Sequence, residues 1–287
     1  MHLSSTTPLT KLEPADWQGT AGARWAANVD HFETMLTSVG AALLAHAGFA
    51  PGERVVEIGC GGGGLTRLLA DEVAPDGRVV GLDISPLLVD LATQRACAAA
   101  VENIAFEVAD AQLGQPSEAP FDRLVSRFGV MFFADPAAAM VNLHTMLKPG
   151  GRLDFAVWAA IADNPWAGTM MEASRAHLGI APPDPRGPGP FAFSDADYLR
   201  SLLDAAGFTA ITFTAWSGMV RIGQLGATPE EVATLSMATG SLAEPLKEAG
   251  EELRAKVQAT LIGLLAPYMT PEGAVLPASV HLVTAVA

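Results

Sequence analysis

One short run constrains this chain more than any other: Val55-Val56-Glu57-Ile58-Gly59-Cys60-Gly61-Gly62-Gly63-Gly64-Leu65-Thr66. It reads as a buried strand that ends in a glycine turn and opens a helix. Glycines at such a turn accept positive φ and let the backbone approach a ligand with no Cβ in the way. From here on, β-branched runs alternate with Ala- and Leu-rich helical patterns. The strands are expected at Arg54–Ile58, Arg78–Asp83, Ile104–Val108, Phe121–Ser126 and Arg152–Trp158, and the helices at Gly64–Glu72, Pro86–Ala100 and Pro136–Leu147. That alternation is how a parallel sheet with crossover helices is written in sequence. Pro86 after Ser85 is a helix-start pair, and Lys148-Pro149-Gly150-Gly151 reads as a helix stop followed by a turn.

On either side the rhythm changes. From Trp17 to Gly48 the residues Trp25, Val29, Phe32, Leu36 and Val39 recur at spacings of three and four, which predicts helix over the ligand edge or flank of the sheet. Residues 159–193 break the pattern, and APPDPRGPGP, with five prolines in ten positions, is neither helix nor central strand. Helix is expected again over Ser194–Ala206, capped by Ser194 or Asp195 and closed by Gly207, with a strand near Thr209–Trp216. Residues 228–268 read as one or two amphipathic helices and Val275–Val286 as a last strand. The expected organisation is an N-terminal helical segment (1–52), a core (53–158), and a remainder with lid elements (159–287).

Composition narrows the classes of function. A chain of 287 residues, 50% hydrophobic, buries a large core without disulfides, and its two cysteines, Cys60 and Cys97, suit a reducing compartment. The N-terminus lacks the basic flank and apolar run of a signal peptide, and no apolar stretch approaches the roughly 20 residues of a membrane span. A cytoplasmic protein with no membrane span is expected. The formal charge of −14 opposes a polyanion, so no nucleic acid partner is expected. A small-molecule acceptor fits better, with a homodimer left open.

The glycine run alone fits two ligand classes, because Gly59, Gly61 and Gly64 satisfy the dinucleotide fingerprint G-x-G-x-x-G. Glu57 argues between them. A carboxylate two residues before the first glycine would repel a pyrophosphate, whereas S-adenosylmethionine carries a sulfonium and an ammonium that an acidic strand end suits. Asp83 closes the second strand, twenty residues after Gly63, where a carboxylate accepts both ribose hydroxyls. Asp110 ends the third strand at the same edge, within reach of an adenine amine.

In order, E-I-G-C-G-G-G-G, G-L-D-I-S-P, A-D-A-Q, F-D-R-L-V-S-R-F-G-V-M-F-F-A-D-P and L-K-P-G-G-R resemble the motifs of class I S-adenosylmethionine-dependent methyltransferases. The similarity is nearest to the small-molecule group of ubiquinone and menaquinone biosynthesis. It implies a Rossmann-like α/β fold: a seven-stranded, mostly parallel sheet of order 3-2-1-4-5-7-6 with the last strand antiparallel, N-terminal helices and a helical lid. It further implies S-adenosylmethionine as cofactor, with Gly59, Cys60, Gly61 and Gly63 passing beneath its methionine part beside Glu57. By the same resemblance Asp83 holds the ribose, Ile84 packs on adenine, and Asp110 with the Ala111 backbone reads the adenine edge. Arg127 and Phe128 would border the methionine and the acceptor pocket. The family often places a polar residue or His just after this strand; here Met131-Phe132-Phe133 stand there, which argues against a catalytic His at that spot.

Methyl transfer from a sulfonium is an in-line displacement, so alignment and desolvation supply much of the acceleration and no catalytic residue is obligatory. The candidates for a general base are Asp30, His31, His144 and His177, with His144 expected on the far face of the sheet and none assigned the role. Phe128, Met131, Phe132, Trp158, Trp166, Phe191, Phe193 and Trp216 form either an apolar acceptor pocket or core. The Asp163-Asn164-Pro165-Trp166 turn is expected to move or to shape specificity, and no metal spacing is present. The competing readings are an NAD-dependent oxidoreductase and a non-catalytic, cofactor-binding or regulatory protein of the same fold.

Overall fold

The computed structural model of the chain describes residues 14–180 and 184–287, so the reading of the extreme N-terminus and of Ala181-Pro182-Pro183 lies outside the described residues. The central strands are β1 (Arg54–Ile58), β2 (Arg78–Asp83), β3 (Ile104–Val108), β4 (Phe121–Arg127) and β5 (Leu147–Trp158). They are joined by helices α5 (Gly64–Val73), α6 (Pro86–Ala98) and α7 (Pro136–Thr145). In β1 and β2 every residue after the first is buried, as expected of parallel strands covered on both faces. Two long strands, β6 (Thr209–Ile222) and β8 (Gly273–Val286), complete the sheet in the order β3-β2-β1-β4-β5-β8-β6, and the two-residue β7 (Met269–Thr270) pairs only with β8. With β7 set aside, this is the expected order, and β8 is the antiparallel member against both neighbours.

Ahead of β1 lie α1 (Pro14–Gln18), α2 (Thr20–Ala27), α3 (Val29–Met35) and α4 (Thr37–Ala47). The three- and four-residue spacing of Trp25 to Val39 survives, but the helix is broken at Gly19, Asn28 and Leu36, which lets short pieces follow the curvature of the sheet edge. α4 buries Val39, Gly40, Leu43 and Ala47 against the sheet and ends on Gly48 at φ +59°. Beneath it, Asp154 is fully buried and accepts hydrogen bonds from Arg123 Nη2 (2.8 Å), Arg152 Nη2 (2.7 Å) and Thr284 Oγ1 (2.8 Å).

Three expectations need correction. Lys148-Pro149-Gly150-Gly151 does not separate a helix from a strand. It is a bulge within β5, where Leu147 pairs with Phe121 and Arg152 with Arg123, and Gly150 at φ +78° donates to Ala287 O. The stretch after β5 contains an unforeseen helix, α8 (Pro165–Leu178), with proline in its first turn and Gly179 at φ +62° after its last. Finally, β6 runs past the expected Trp216. Since Trp158 and Trp216 both lie level with Val280, residues 217–222 and 274–279 rise above the sheet's upper edge as a two-stranded arm. α9 (Ala196–Ala205) falls within the expected helix and is capped by Asp195, whose side chain accepts from Asp197 N and Tyr198 N. α10 (Pro229–Thr239) and α11 (Glu251–Leu265) account for the helices expected over 228–268.

Candidate functional site

The turn after β1 is fixed by its own backbone. Gly59, Gly61 and Gly63 have φ of +72°, +53° and +76°, and Gly59 N and Cys60 N both donate to Leu82 O, at 2.8 and 2.9 Å. A Cβ on Gly59 would fall 2.7 Å from the Gly129 Cα, so glycine is required on grounds of space as well as conformation. The turn is thereby pressed between the end of β2 and the 3-10 turn Gly129–Phe132 that follows β4.

The three strand-end acids are differently engaged. Asp83, 8% exposed, accepts Gly61 N on Oδ2 and Ser85 N on Oδ1, each at 2.9 Å. The Ile84 N–H acts on the same carboxylate as a third backbone donor, and the two oxygens together still have acceptor capacity beyond these bonds. Burial pushes the Asp83 carboxyl above its usual range, opposed by these N–H donors. Asp110 is half-buried and accepts Gln112 N at 2.9 Å, while the adjoining Ala111 is buried and its carbonyl accepts Asn142 Nδ2 at 2.9 Å. Glu57, 2% exposed, is hydrogen-bonded to Thr66 Oγ1 at 2.6 Å, and burial raises its carboxyl to about 8. The sequence argument treated Glu57 as a negative charge at the turn. In this structure it keeps its proton at neutral pH, because loss of hydration outweighs the Thr66 bond and the attraction of Arg127. The same surroundings hold the buried Cys60 thiol well above its usual range, so it stays protonated.

Ser85 also departs from expectation. It stands at the N-cap of α6, yet its side chain caps nothing, and Ser85 Oγ is a buried hydroxyl with no hydrogen-bond partner. Trp17 Nε1 is another such buried atom. Gly22 of α2 packs directly on Ser85 Oγ, which places that hydroxyl beneath the N-terminal layer and two residues from Asp83. Ile84, between Asp83 and Ser85, is half-buried.

That layer roofs the glycine turn. A Cβ on Gly61 would lie 3.3 Å from Trp25 Nε1, Val29 packs against Gly62, and Trp25 stacks on Phe32 at 3.9 Å and 6°. Trp17 meets Phe132 edge-on at 4.9 Å. Arg127, at the end of β4, donates Nη1 to Leu36 O at 3.2 Å and sits against Gly40 of α4. Burial holds its guanidinium below its usual range, while Glu57 and Glu33 act the other way. Phe128 follows at φ +70°, an unusual conformation for a side-chain-bearing residue and one that turns the chain out of the strand.

The aromatic residues divide. Phe128 stacks on Trp158 at 4.1 Å, Trp158 meets Trp166 at 4.8 Å, and Trp166 faces Phe191 at 5.9 Å, all buried. Rings 4.1 Å apart leave no room for a planar molecule between them, so the Phe128–Trp158 pair is a packed wall. Met131 is buried core, Phe193 packs with Tyr198, and Trp216 lies along Gly218 on β6, apart from the ladder. Asn164, expected in a moving turn, is 0% exposed. Its Nδ2 donates to the carbonyls of Ala159, Ala160 and Ser279, and its Oδ1 accepts from Trp166 Nε1 and Ser279 N, which makes it a fixed joint at the base of α8.

Of the candidate bases, Asp30 pairs with Arg95 at 3.1 Å, His177 bonds Thr260 at 2.7 Å, and His144 packs on Phe208 between α7 and β6. His31 remains, beside Phe32, and burial lowers its imidazole to about 4, so it is neutral at physiological pH. Among the described residues no three His, Cys, Asp or Glu side chains gather as a metal site requires. Sequence reasoning missed Glu33. Its carboxylate takes Arg95 Nη1 and Nη2 at 2.8 and 2.9 Å, and Gly62 and Gly64 both lie against it. Its position one helical turn after Val29 was the available signal.

A parallel sheet with this strand order, a glycine turn after its first strand, and carboxylates at the next two strand ends together define a class I methyltransferase fold. Residues 49–179 match a family model described as a methyltransferase domain. It is 32% identical over 114 residues to a demethylmenaquinone methyltransferase of Symbiobacterium thermophilum, an alignment covering 38% of this chain and 44% of the relative. It is 35% identical over 105 residues to the aklanonic acid methyltransferase DauC of a Streptomyces species, covering 36% and 47%. The chain thus spans less than half the length of these curated relatives. Among solved structures, the YcgJ protein of Bacillus subtilis superposes with a TM-score of 0.57 at 17% identity, covering 87% of this chain and 98% of that one. Haemonchus contortus phosphoethanolamine N-methyltransferase 2, solved in complex with S-adenosyl-L-methionine, gives 0.56 at 17% identity over 98% of this chain and 61% of its own. At that identity the two share the fold.

Proposed function

We propose that the chain binds S-adenosylmethionine along the upper edge of β1, β2 and β3 and passes its methyl group to a small organic acceptor. The observation that carries this is Asp83: it is buried at the end of β2, oriented by the backbone N–H groups of Gly61, Ser85 and Ile84, and retains acceptor capacity on its oxygens for ribose hydroxyls. The unpartnered Ser85 Oγ beside it supports the same reading, since a buried hydroxyl without a partner implies a polar group still to be accommodated. Ile84 and the Ala111 backbone flank the place for adenine, and Asp110 keeps acceptor capacity for its amine. Gly59, Cys60, Gly61 and Gly63 floor the methionine part, with Glu57 and Arg127 at its end.

When bound, the cofactor supplies an electrophilic methyl on a good leaving group. The chain's part is to align donor and acceptor and to exclude water, worth about 7–11 kcal/mol in favourable cases. The roof of Trp17, Trp25 and Phe32 and the wall of Phe128 and Trp158 provide that dry surround. Among the described residues no helix is long and apolar enough to cross a membrane, and the unpaired Cys60 and Cys97 with a charge of −14 favour a cytoplasmic protein with no nucleic acid partner.

Calorimetry with S-adenosylmethionine and its demethylated product tests the reading. Asp83→Ala is expected to weaken binding by roughly 1.5–3 kcal/mol, the worth of hydrogen bonds to a charged group. Wild-type protein that binds neither compound, yet is stabilised thermally by NADH, would overturn it.

A further inference from the structure

The geometry points to Glu33 as the residue that closes the glycine turn to phosphate-bearing ligands and so sets which class of nucleoside this edge admits. A glycine turn that opens a helix offers unpaired N–H groups and the positive end of the helix, which is how such turns hold a pyrophosphate. The ten-residue α5 begins in this way and has no side-chain cap. Here the place of the anion is already filled by the chain itself. A Cβ on Gly64 would fall 2.6 Å from Glu33 Oε1, and one on Gly62 would fall 3.2 Å from the same atom.

The carboxylate is held there from the other side. Arg95 grips it with both terminal nitrogens, Arg95 Nη1 also donates to Gly62 O at 3.3 Å, and Arg67 Nη2 stands 4.0 Å from Glu33 Oε2. Two guanidiniums beside the glycine turn attract an anion, and Glu33, delivered from α3, is the one the chain itself places there. A dinucleotide would have to lay its pyrophosphate against that carboxylate or expel it from a bidentate pair. A nucleoside without phosphates meets no such conflict. The sequence alone suggested Glu57 for this role, but Glu57 is buried and turned to Thr66, whereas the Glu33 carboxylate lies against Gly62 and Gly64 of the turn itself in a bidentate pair with Arg95. The inference rests on the proposed cofactor only in saying which ligand is admitted; the exclusion of phosphate is tested independently of it.

The test uses the full chain with inorganic pyrophosphate and NADH as calorimetric probes. Glu33→Gln, which keeps the volume and removes the charge, is expected to bind pyrophosphate at least about tenfold more tightly than wild type, as Arg67 loses its carboxylate neighbour and Arg95 keeps only the exposed Asp30 as an anionic partner. Adding Arg95→Ala to that variant is expected to abolish the gain, and NADH affinity is expected to rise with that of pyrophosphate. Glu33→Ser serves as a second background if the first does not unfold cooperatively. A folded variant with unchanged pyrophosphate affinity, a gain that survives loss of Arg95, or wild type binding pyrophosphate as tightly as the variant would each overturn the inference. Wild type that fails to bind S-adenosylhomocysteine would instead count against the proposed cofactor and leave the Glu33 result readable.

Discussion

The buried proton on Glu57 makes a prediction whose size follows from its surroundings. Its carboxyl is raised from 4.5 to about 8, chiefly because burial strips its hydration, with Thr66 opposing. The folded chain therefore holds a proton that the unfolded chain releases. The stabilisation is complete below the unfolded value and is lost as pH rises through the folded one. Inside that window each pH unit is worth about 1.4 kcal/mol, so moving from pH 5.5 to 7.5 costs roughly 3 kcal/mol at this one residue. For a chain of this size that is a fall of roughly 5 °C in melting temperature. Other groups titrate over the same range, and Asp83 is shifted in the same direction, so the informative quantity is a difference. Glu57→Gln mimics the protonated side chain and cannot ionise. Scanning calorimetry of both proteins across this range should give profiles that lie closest at the acid end and diverge as pH rises, with the variant the more stable. Parallel profiles would refute the reasoning and mean that Glu57 is ionised within the fold.

Other consequences are local. Gly59→Ala places a methyl group against the Gly129 backbone at φ +72°, and the combined conformational and steric cost is roughly 2–5 kcal/mol, readable as a lowered urea midpoint. Asn164→Ala removes the amide that satisfies the carbonyls of Ala159, Ala160 and Ser279 at the base of α8, and should destabilise by roughly 2–4 kcal/mol in the same assay. Asp154→Ala removes the fully buried partner of Arg123 beneath α4 and leaves that guanidinium only the longer carboxylate contact to Glu53, for a loss of roughly 3–5 kcal/mol; an unchanged midpoint would show that water replaces the pair.

What was legible in the sequence is what depends on local pattern. β1 and β2 are buried on both faces, so they are written as largely apolar runs without strict alternation, and the glycine turn and the acids at the ends of β2 and β3 follow them at fixed offsets. The helix breaks at Asn28 and Leu36 were not legible, because the spacing that marks a helical face persists across a change of direction. α8 was hidden by the prolines around it, although Pro165 is a helix starter once Asn164 is seen as a joint. The sequence places Asn164 in a turn expected to move or to shape specificity, since nothing in the residues near it announces that Ser279, far along the chain, supplies two of its partners.

The roles of Glu57 and Glu33 show the same limit in electrostatic form. Both are acidic residues beside one glycine turn. Pattern favoured Glu57, which sits two positions before the first glycine, and passed over Glu33, which lies outside the motif. Charge state, however, is set by hydration and by neighbours brought from elsewhere in the chain. Glu57 loses its water to the core with only Thr66 as a hydrogen-bond partner and takes up a proton. Glu33 finds Arg95 of α6 and Arg67 of α5. A motif therefore marks the glycine turn while leaving open which acids pack against it, and in this fold the long-range pairing of α3 with α6 brings Glu33 there.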